Sequence, residues 1–260
     1  MILNVCLGHK AFPLSFQNFL DYTISPIPIS GVQNLIVVPD EMYGPNGSSL
    51  SEYAQLFWLY HNLDKLSQTA THIRTCHYRR FVSAERAGLG KPCSLPFAHV
   101  INENELGHFK KNFDRSQVSE LVNASFMPRG GILAQYASAH LLEDLIDFSK
   151  FLHQKNILSP QHVILFLREN TLIPASSISV LSISNFRWIV SYLIKASDYM
   201  NHESFVVRSG YQRRNMGFLL ERLNSYLLLE GIRQGKIEKN IGNHMIISDD
   251  ARISITNEIS

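Results

Sequence analysis

Apolar and β-branched residues gather in two short runs near the start of the chain, residues 2–7 and residues 35–38. Each is closed by turn chemistry, Gly8-His9-Lys10 after the first and Pro39-Asp40 after the second. Runs of this length between turn residues predict buried strands of one sheet. Ligands of open α/β sheets collect outside the carboxyl ends of strands, which marks His9 and Lys10 as candidate site residues. The alternatives are a partly buried histidine and a surface charge. A loop over residues 43–51, YGPNGSSLS, leads into Tyr53, Leu56, Phe57, Tyr60 and Leu63, an apolar stripe at helical spacing. Ser49 and Glu52 stand three apart, as in a capping box that would start this helix and account for Glu52 locally.

The segment THIRTCHYRRFVS, residues 71–83, reads as a third strand ending in the densest cluster of charge and aromaticity in the chain. If it stays extended, His77 and Arg79 face one way and Tyr78 and Arg80 the other. Residues 84–104 carry Gly and Pro with little periodicity and predict a long loop. Leu133, Ala137, Leu141, Leu145, Phe148 and Leu152 predict one long amphipathic helix with His140, Glu143 and Asp144 on its flank. A strand is expected over 177–183 and a helix over 186–200. Ser209 and Gln212 suggest a capping box opening a further helix that contains Gly217. A glycine inside a helix costs about 1 kcal/mol relative to alanine, so it points to a close approach of backbone or ligand. Phe57, Trp58, Tyr60 and Trp188 sit at helical spacing and are expected in the core. The last twenty residues are polar and give no clear element, and Asp249-Asp250 reads as a solvated turn.

Composition narrows the class. A chain of 260 residues with 45 % hydrophobic and 18 % charged residues suits one α/β domain or two closely packed lobes. A net charge of +2 argues against nucleic acid as a partner, since that binding needs a strongly basic face. Cys6, Cys76 and Cys93 are widely separated and lack metal-ligand spacing, so neither a disulfide framework nor a zinc site is expected, and a reducing cytoplasm fits. The first residues lack the basic start and cleavage site of a signal peptide. No apolar stretch approaches the roughly 18–20 residues that span a bilayer.

Four segments in order, VCLGHKAFPL, LSEYAQLFWLYHNL with CHYRRF, MPRGGILAQYASAHLLEDL and YQRRNMGFLLERL, carry a resemblance. Together they resemble an uncharacterised-domain family of glycosyltransferases from bacterial capsule and exopolysaccharide gene clusters, whose signature is a Cys-His-Tyr-Arg-Arg strand end. The resemblance implies a GT-A-like, Rossmann-type α/β fold, a mixed sheet flanked by helices with a helical C-terminal part. It implies transfer of a sugar from a nucleotide-diphosphate sugar to an oligosaccharide or lipid-linked glycan in surface polysaccharide assembly. Residues 1–105 are then the nucleotide-sugar-binding part and 106–260 the acceptor-side part of one continuous unit. The location would be cytoplasmic, with peripheral membrane contact through a lipid-linked acceptor.

Such chemistry must stabilise a diphosphate leaving group. No Asp-X-Asp motif ends a plausible strand here, whereas His77, Arg79 and Arg80 do, and the planar arginine fork matches phosphate oxygens. His9, Lys10, Glu52, His77, Arg79 and Arg80 are therefore the expected donor and diphosphate contacts, with no metal ligands assigned, no cofactor required, and a uridine diphosphate sugar as first candidate. Whether a divalent metal takes part stays open. A solvated strand edge is the plainer reading of Arg79-Arg80. The acceptor hydroxyl needs a carboxylate base in an inverting reaction, with Glu143, Asp144 and Glu221 as candidates. Glu221 could instead pair with Arg213, Arg214 or Arg222. His140, Arg213 and Arg214 are placed on the acceptor side. A non-catalytic nucleotide- or carbohydrate-binding module is the alternative function, and the absence of a P-loop or GxGxxG sequence argues against other phosphate-handling enzymes.

Overall fold

The computed structural model describes residues 1–10, 14–83, 91–92, 98–101, 120–122, 125–126 and 130–247. The chain opens with β1 (Ile2–Leu7), α1 (Leu14–Gln17), β2 (Tyr22–Ser25) and β3 (Leu35–Val37), and α2 (Tyr53–Leu66) returns it to β4 (His72–His77). These four strands are parallel, with β2 on one side of β1 and β4 on the other. The chain winds outward from β1 through β2 to β3 and then crosses back to lay β4 against β1, giving the order β3-β2-β1-β4. A reversal of this kind opens a crevice at the carboxyl ends of the two strands where it occurs. The register pairs Leu7 with His77, so Gly8-His9 and Tyr78-Arg79 leave the sheet side by side.

Beyond β4 the sheet becomes mixed. It takes in β5 (Arg80–Ser83), β6 (Lys91–Pro92), β7 (Ala98–Ile101), β8 (Glu120–Val122), β11 (Ser179–Ser182) and β12 (Ile241–Ile247). β11 runs antiparallel to β4, while β12 pairs with β5, β7 and β8. A separate two-stranded ladder joins β9 (Ser125–Phe126) to β10 (Thr171–Leu172). The remaining helices are α3 (Gly131–Ala139), α4 (Leu142–Gln154), α5 (Pro160–Arg168), α6 (Ile183–Ser197) and α7 (Asn215–Arg233).

Both faces of the first strand are covered, as its near-continuous apolar run requires. Leu3, Val5 and Leu7 enter a large core with α2, α6 and α7, whereas Cys6 joins Cys76, Phe16, Phe81, Met245 and Ile247 on the other side. Cys6 and Cys76 face each other across β1 and β4 as free, buried thiols. Cys93 and Asp249-Asp250 lie outside the described residues, as does Met127-Pro128-Arg129 of the third family-like segment. The mixed sheet flanked by helices, with a helical C-terminal part, is the expected α/β architecture. Phe57 lies in the core, with Trp58, Tyr60 and Trp188 packed against it.

Several local expectations are corrected. Residues 71–83 form not one strand but two, because the chain turns tightly at Tyr78-Arg79 and His77 pairs antiparallel with Arg80. Cross-strand partners project to one face, so His77 shares its face with Arg80, where unbroken alternation would have paired it with Arg79. The long helix over 133–152 is two helices, broken where His140 and Leu141 adopt extended backbone; Glu143 and Asp144 then occupy the first turn of α4, where the helix dipole favours acids. His140 and Asp144 are consequently not an i, i+4 helical pair. Neither capping box forms. The Ser49 hydroxyl donates to the Asn46 carbonyl at 2.6 Å, and Ser209 makes no cap bond before a 3-10 turn over Gly210–Arg214. Parts of the expected loop over 84–104 are strand, as are the C-terminal residues of β12.

Candidate active site

A cleft of about 560 Å³ opens at the crevice between the ends of β1 and β4. Leu7, Gly8 and His9 reach it from β1, Pro26 from the end of β2, Asp40 from the turn after β3, and His77, Tyr78, Arg79 and Arg80 from the β4–β5 hairpin. The opposite wall is built by Ser51 and Glu52 at the start of α2, and by Tyr211, Arg214, Gly217, Phe218 and Glu221 on and before α7. Parallel pairing thus collects the turns after four strands at one edge, and α7 closes the space above them.

Glu52 is the best-organised group in the cleft. It stands at the start of α2 without capping it, which leaves its carboxylate free to turn inward. The Ser51 hydroxyl donates to Oε2 at 2.5 Å, and Arg214 lies 3.8 Å from the same oxygen while donating to Ser51 Oγ at 2.9 Å. The Ser177 hydroxyl donates to Oε1 at 3.4 Å, and His77 Nε2 is 3.1 Å from that hydroxyl and 4.0 Å from Oε1. Since the Ser177 proton points to Glu52, Ser177 accepts from His77, which fixes the imidazole tautomer. Burial pushes the Glu52 carboxyl up, but His77, the Ser51 hydroxyl and Arg214 outweigh it and hold the group below the ordinary carboxylate range. Burial, with Arg80, His9 and Arg214 nearby, pushes His77 below its ordinary value against the opposing pull of Glu52. At neutral pH the pair is an ionised carboxylate beside a neutral imidazole.

Ser51 carries backbone strain, with φ 56°. Residues held in sparsely populated backbone regions persist only where their surroundings fix them. The packing of α7 supplies that here: a Cβ on Gly217 would lie 2.9 Å from Ser51 Cβ and 3.1 Å from the Leu50 carbonyl oxygen. The close approach expected at this glycine is therefore to the turn that presents Ser51.

The cleft is rich in cation. Arg79 and Arg80 form no ion pair or side-chain hydrogen bond among the described residues, and Arg79 leans over the Tyr78 ring at 5.5 Å. Burial and the neighbouring Arg79 lower the Arg80 pKa from its very high ordinary value. His9, edge-on to Tyr78 at 5.2 Å, is lowered by desolvation, Lys10, Arg214 and Arg79. The cleft lining holds three guanidinium groups and three carboxylates, but Glu52 faces Arg214 and Glu221 is held by Arg222, which leaves the Arg79-Arg80 end as the place for an anion.

The sequence candidates divide between this cleft and its surroundings. His9, Glu52, His77, Arg79, Arg80, Arg214 and Glu221 line the cleft. Lys10 is exposed beside it, and Arg213 anchors its wall through Ser48 Oγ at 3.1 Å. Asp144 and Glu143 do not line it. Buried Asp144 accepts from Arg208 at 2.7 Å and from Asn215 at 3.4 Å, and Glu143 accepts from the same arginine at 3.2 Å. Glu221 has both oxygens engaged, Oε1 by the Ala175 backbone N–H at 3.2 Å and Oε2 by Arg222 at 2.9 Å. His140 packs on Phe218 with ring centroids 4.0 Å apart, and burial with the Arg222 charge lowers its pKa to about 4. Sequence reasoning missed Ser51, Ser177, Asp40, Tyr211 and Phe218. Only Asp40, in the turn after a strand, carried a local signal.

No protein-family model matches the chain, and no curated protein matches it. The fold is shared with part of one solved structure. The chain is similar to the apo structure of the bifunctional glycosyltransferase WbbM, with a TM-score of 0.64 at 12 % sequence identity. The likeness covers 95 % of this chain and 45 % of that one, so the chain spans under half the length of that protein. Among the described residues no helix is long and apolar enough to cross a membrane.

Proposed function

We infer that the chain transfers a sugar from a nucleotide-diphosphate sugar to a glycan acceptor. The observation that carries this reading is the Arg79-Arg80 hairpin, whose guanidinium groups form no ion pair among the described residues, at the strand-order reversal of a fold shared with a glycosyltransferase, facing an ionised glutamate across one cleft. The nucleoside would lie over the turns after β1, β2 and β3, with its diphosphate against Arg79, Arg80, His77 and His9, and Lys10 adding charge at the edge. Fixed cations aimed at a developing phosphate charge contribute on the order of 3–4 kcal/mol each to the transition state.

Glu52 replaces Asp144 and Glu143 as the proposed base, because their carboxylates serve Arg208 and hers faces the cleft. In a direct displacement the acceptor hydroxyl gives its proton to Glu52 Oε1, its oxygen bonds to the anomeric carbon, and the carbon–oxygen bond to the diphosphate breaks. The negative charge left on the diphosphate is received by the arginines. Glu221 shapes the floor through Arg222 and Ala175. Clustered guanidinium groups favour a metal-independent clamp, with a uridine diphosphate sugar as first donor to try. Surface polysaccharide assembly in a bacterial cytoplasm, on an oligosaccharide or lipid-linked acceptor, is the setting that the sequence resemblance suggests.

The test is a thermal-shift screen against uridine, guanosine, cytidine and thymidine diphosphates and their sugars, each with manganese and with EDTA. A ligand that binds only the native state raises its melting temperature. One nucleotide class is expected to do so and to persist in EDTA, followed by donor hydrolysis or transfer. No shift with any donor would overturn the reading, and binding without turnover would convert it to a non-catalytic module.

A further inference from the structure

Tyr211 is 66 % exposed, an unusual state for a tyrosine ring lining a cleft. Its 3-10 turn is nonetheless pinned on both sides. Gln212 donates to the Ala139 carbonyl at 3.2 Å, and Arg213 and Arg214 donate to Ser48 and Ser51 at 3.1 and 2.9 Å. The ring is backed by others: it lies nearly parallel to His140, at 12° and 6.1 Å, and 5.1 Å from Phe218. The outer rim of the cleft is thus a preorganised aromatic surface, and preorganisation removes part of the ordering cost of binding.

What such a surface takes follows from its neighbours. Arg214 lies over the Phe218 ring at 5.5 Å and reaches Glu52 Oε2 at 3.8 Å, so the aromatic group is two contacts from the proposed base. The diphosphate cations Arg79 and Arg80 come from the hairpin on the other wall. An aromatic face beside arginine donors and a carboxylate suits a pyranose ring, whose C–H face is apolar and whose rim of hydroxyls is polar. We propose that Tyr211, backed by Phe218 and His140, is the platform of an acceptor-sugar subsite that presents a hydroxyl to Glu52. This assignment rests on the glycosyltransferase reading of the same cleft.

The test measures binding of a panel of methyl hexopyranosides by saturation-transfer NMR, with uridine diphosphate present and absent, for the full chain and for Tyr211→Ala and Tyr211→Phe. At least one glycoside is expected to bind the unaltered protein, to bind Tyr211→Ala about tenfold more weakly, and to be restored by Tyr211→Phe. Nucleoside diphosphate affinity should stay unchanged across the three. Equal glycoside binding by Tyr211→Ala, or no glycoside binding by a protein that does bind nucleotide, overturns the platform and leaves the donor site standing. A fall in nucleotide affinity with glycoside binding unchanged would assign the ring to a nucleobase and also overturn it. Glycoside binding that depends on Tyr211, without any nucleotide binding, would keep the platform and sink the donor reading.

Discussion

Charge at single residues decides what the cleft can hold. Removing one guanidinium that contacts phosphate forfeits a charge-assisted hydrogen bond worth about 1.5–3 kcal/mol, roughly 10–100-fold in affinity. Arg79→Ala and Arg80→Ala are each expected to weaken nucleoside diphosphate binding by that factor in calorimetry. Their melting temperatures should barely move, since neither side chain has a hydrogen-bond partner among the described residues to lose. A double variant that binds normally would remove the diphosphate clamp. Glu52→Gln keeps shape and removes the proposed base, so donor binding should survive while turnover falls at least about 100-fold. Because the Glu52 carboxyl is held below the ordinary range, the acid limb of the turnover profile should lie below the usual glutamate pKa. His244 offers a separate pH effect. It is buried on β12, its Nε2 has no hydrogen-bond partner among the described residues, and burial with the Arg80 and His77 charges lowers its pKa to about 4. The unfolded histidine titrates near 6.5, so the unfolded chain holds the extra proton below that pH and stability falls as pH drops from 6.5 towards 4. The loss attributable to this group by pH 4.5 is on the order of 2 kcal/mol, and His244→Gln should flatten the urea-denaturation stability curve by that amount.

Elements turn these residues into a site by their approach. A helix-interior glycine is a defect by propensity, so Gly217→Ala in isolation would stabilise α7 by about 1 kcal/mol. The Cβ would collide with Ser51 and the Leu50 carbonyl, and overpacking against backbone costs about 1–3 kcal/mol. Net destabilisation is therefore expected in chemical denaturation, together with weaker turnover, because Ser51 holds Glu52. A stabilised, fully active Gly217→Ala protein would show that this contact has slack. The β4–β5 hairpin makes the same point from the sheet side. The Cys-His-Tyr-Arg-Arg run was visible as a charged and aromatic cluster, yet the turn at Tyr78-Arg79 carries no Gly, Pro or Asn to announce it. Its reversal comes from β12, which pairs β5 from 160 residues away in sequence.

At the scale of the molecule, β12 ties the chain together, since it pairs with β5, β7 and β8 in the interior of the ten-stranded sheet. Deleting residues 241–260 should abolish cooperative thermal unfolding, because it exposes unpaired edges on three strands at once. A cooperative melt of the truncated chain would show that the first half folds on its own. Core strands here come from both sides of residue 105, and the cleft does too: Arg79 and Arg80 come from the β4–β5 hairpin, and Arg214 and Tyr211 from the turn before α7.

What the sequence determined by itself was local and periodic. The strands at 2–7 and 35–38, the helix carrying Tyr53 to Leu63, the helix after residue 182 and the concentration of charge over His77–Arg80 all follow from apolar spacing and charge within a dozen residues. Only the tertiary structure decided the rest. Glu52 is a cleft carboxylate and not a cap because Ser51 and Ser177 capture it, and Asp144 lies outside the cleft lining, paired with Arg208 from 64 residues on. The stretch IGNHMII, residues 241–247, is an interior strand because its partners supply the hydrogen bonds and the apolar cover that its own alternation does not advertise. Each of these outcomes depends on contacts between segments far apart in sequence, and periodicity along one segment carries no information about its partner.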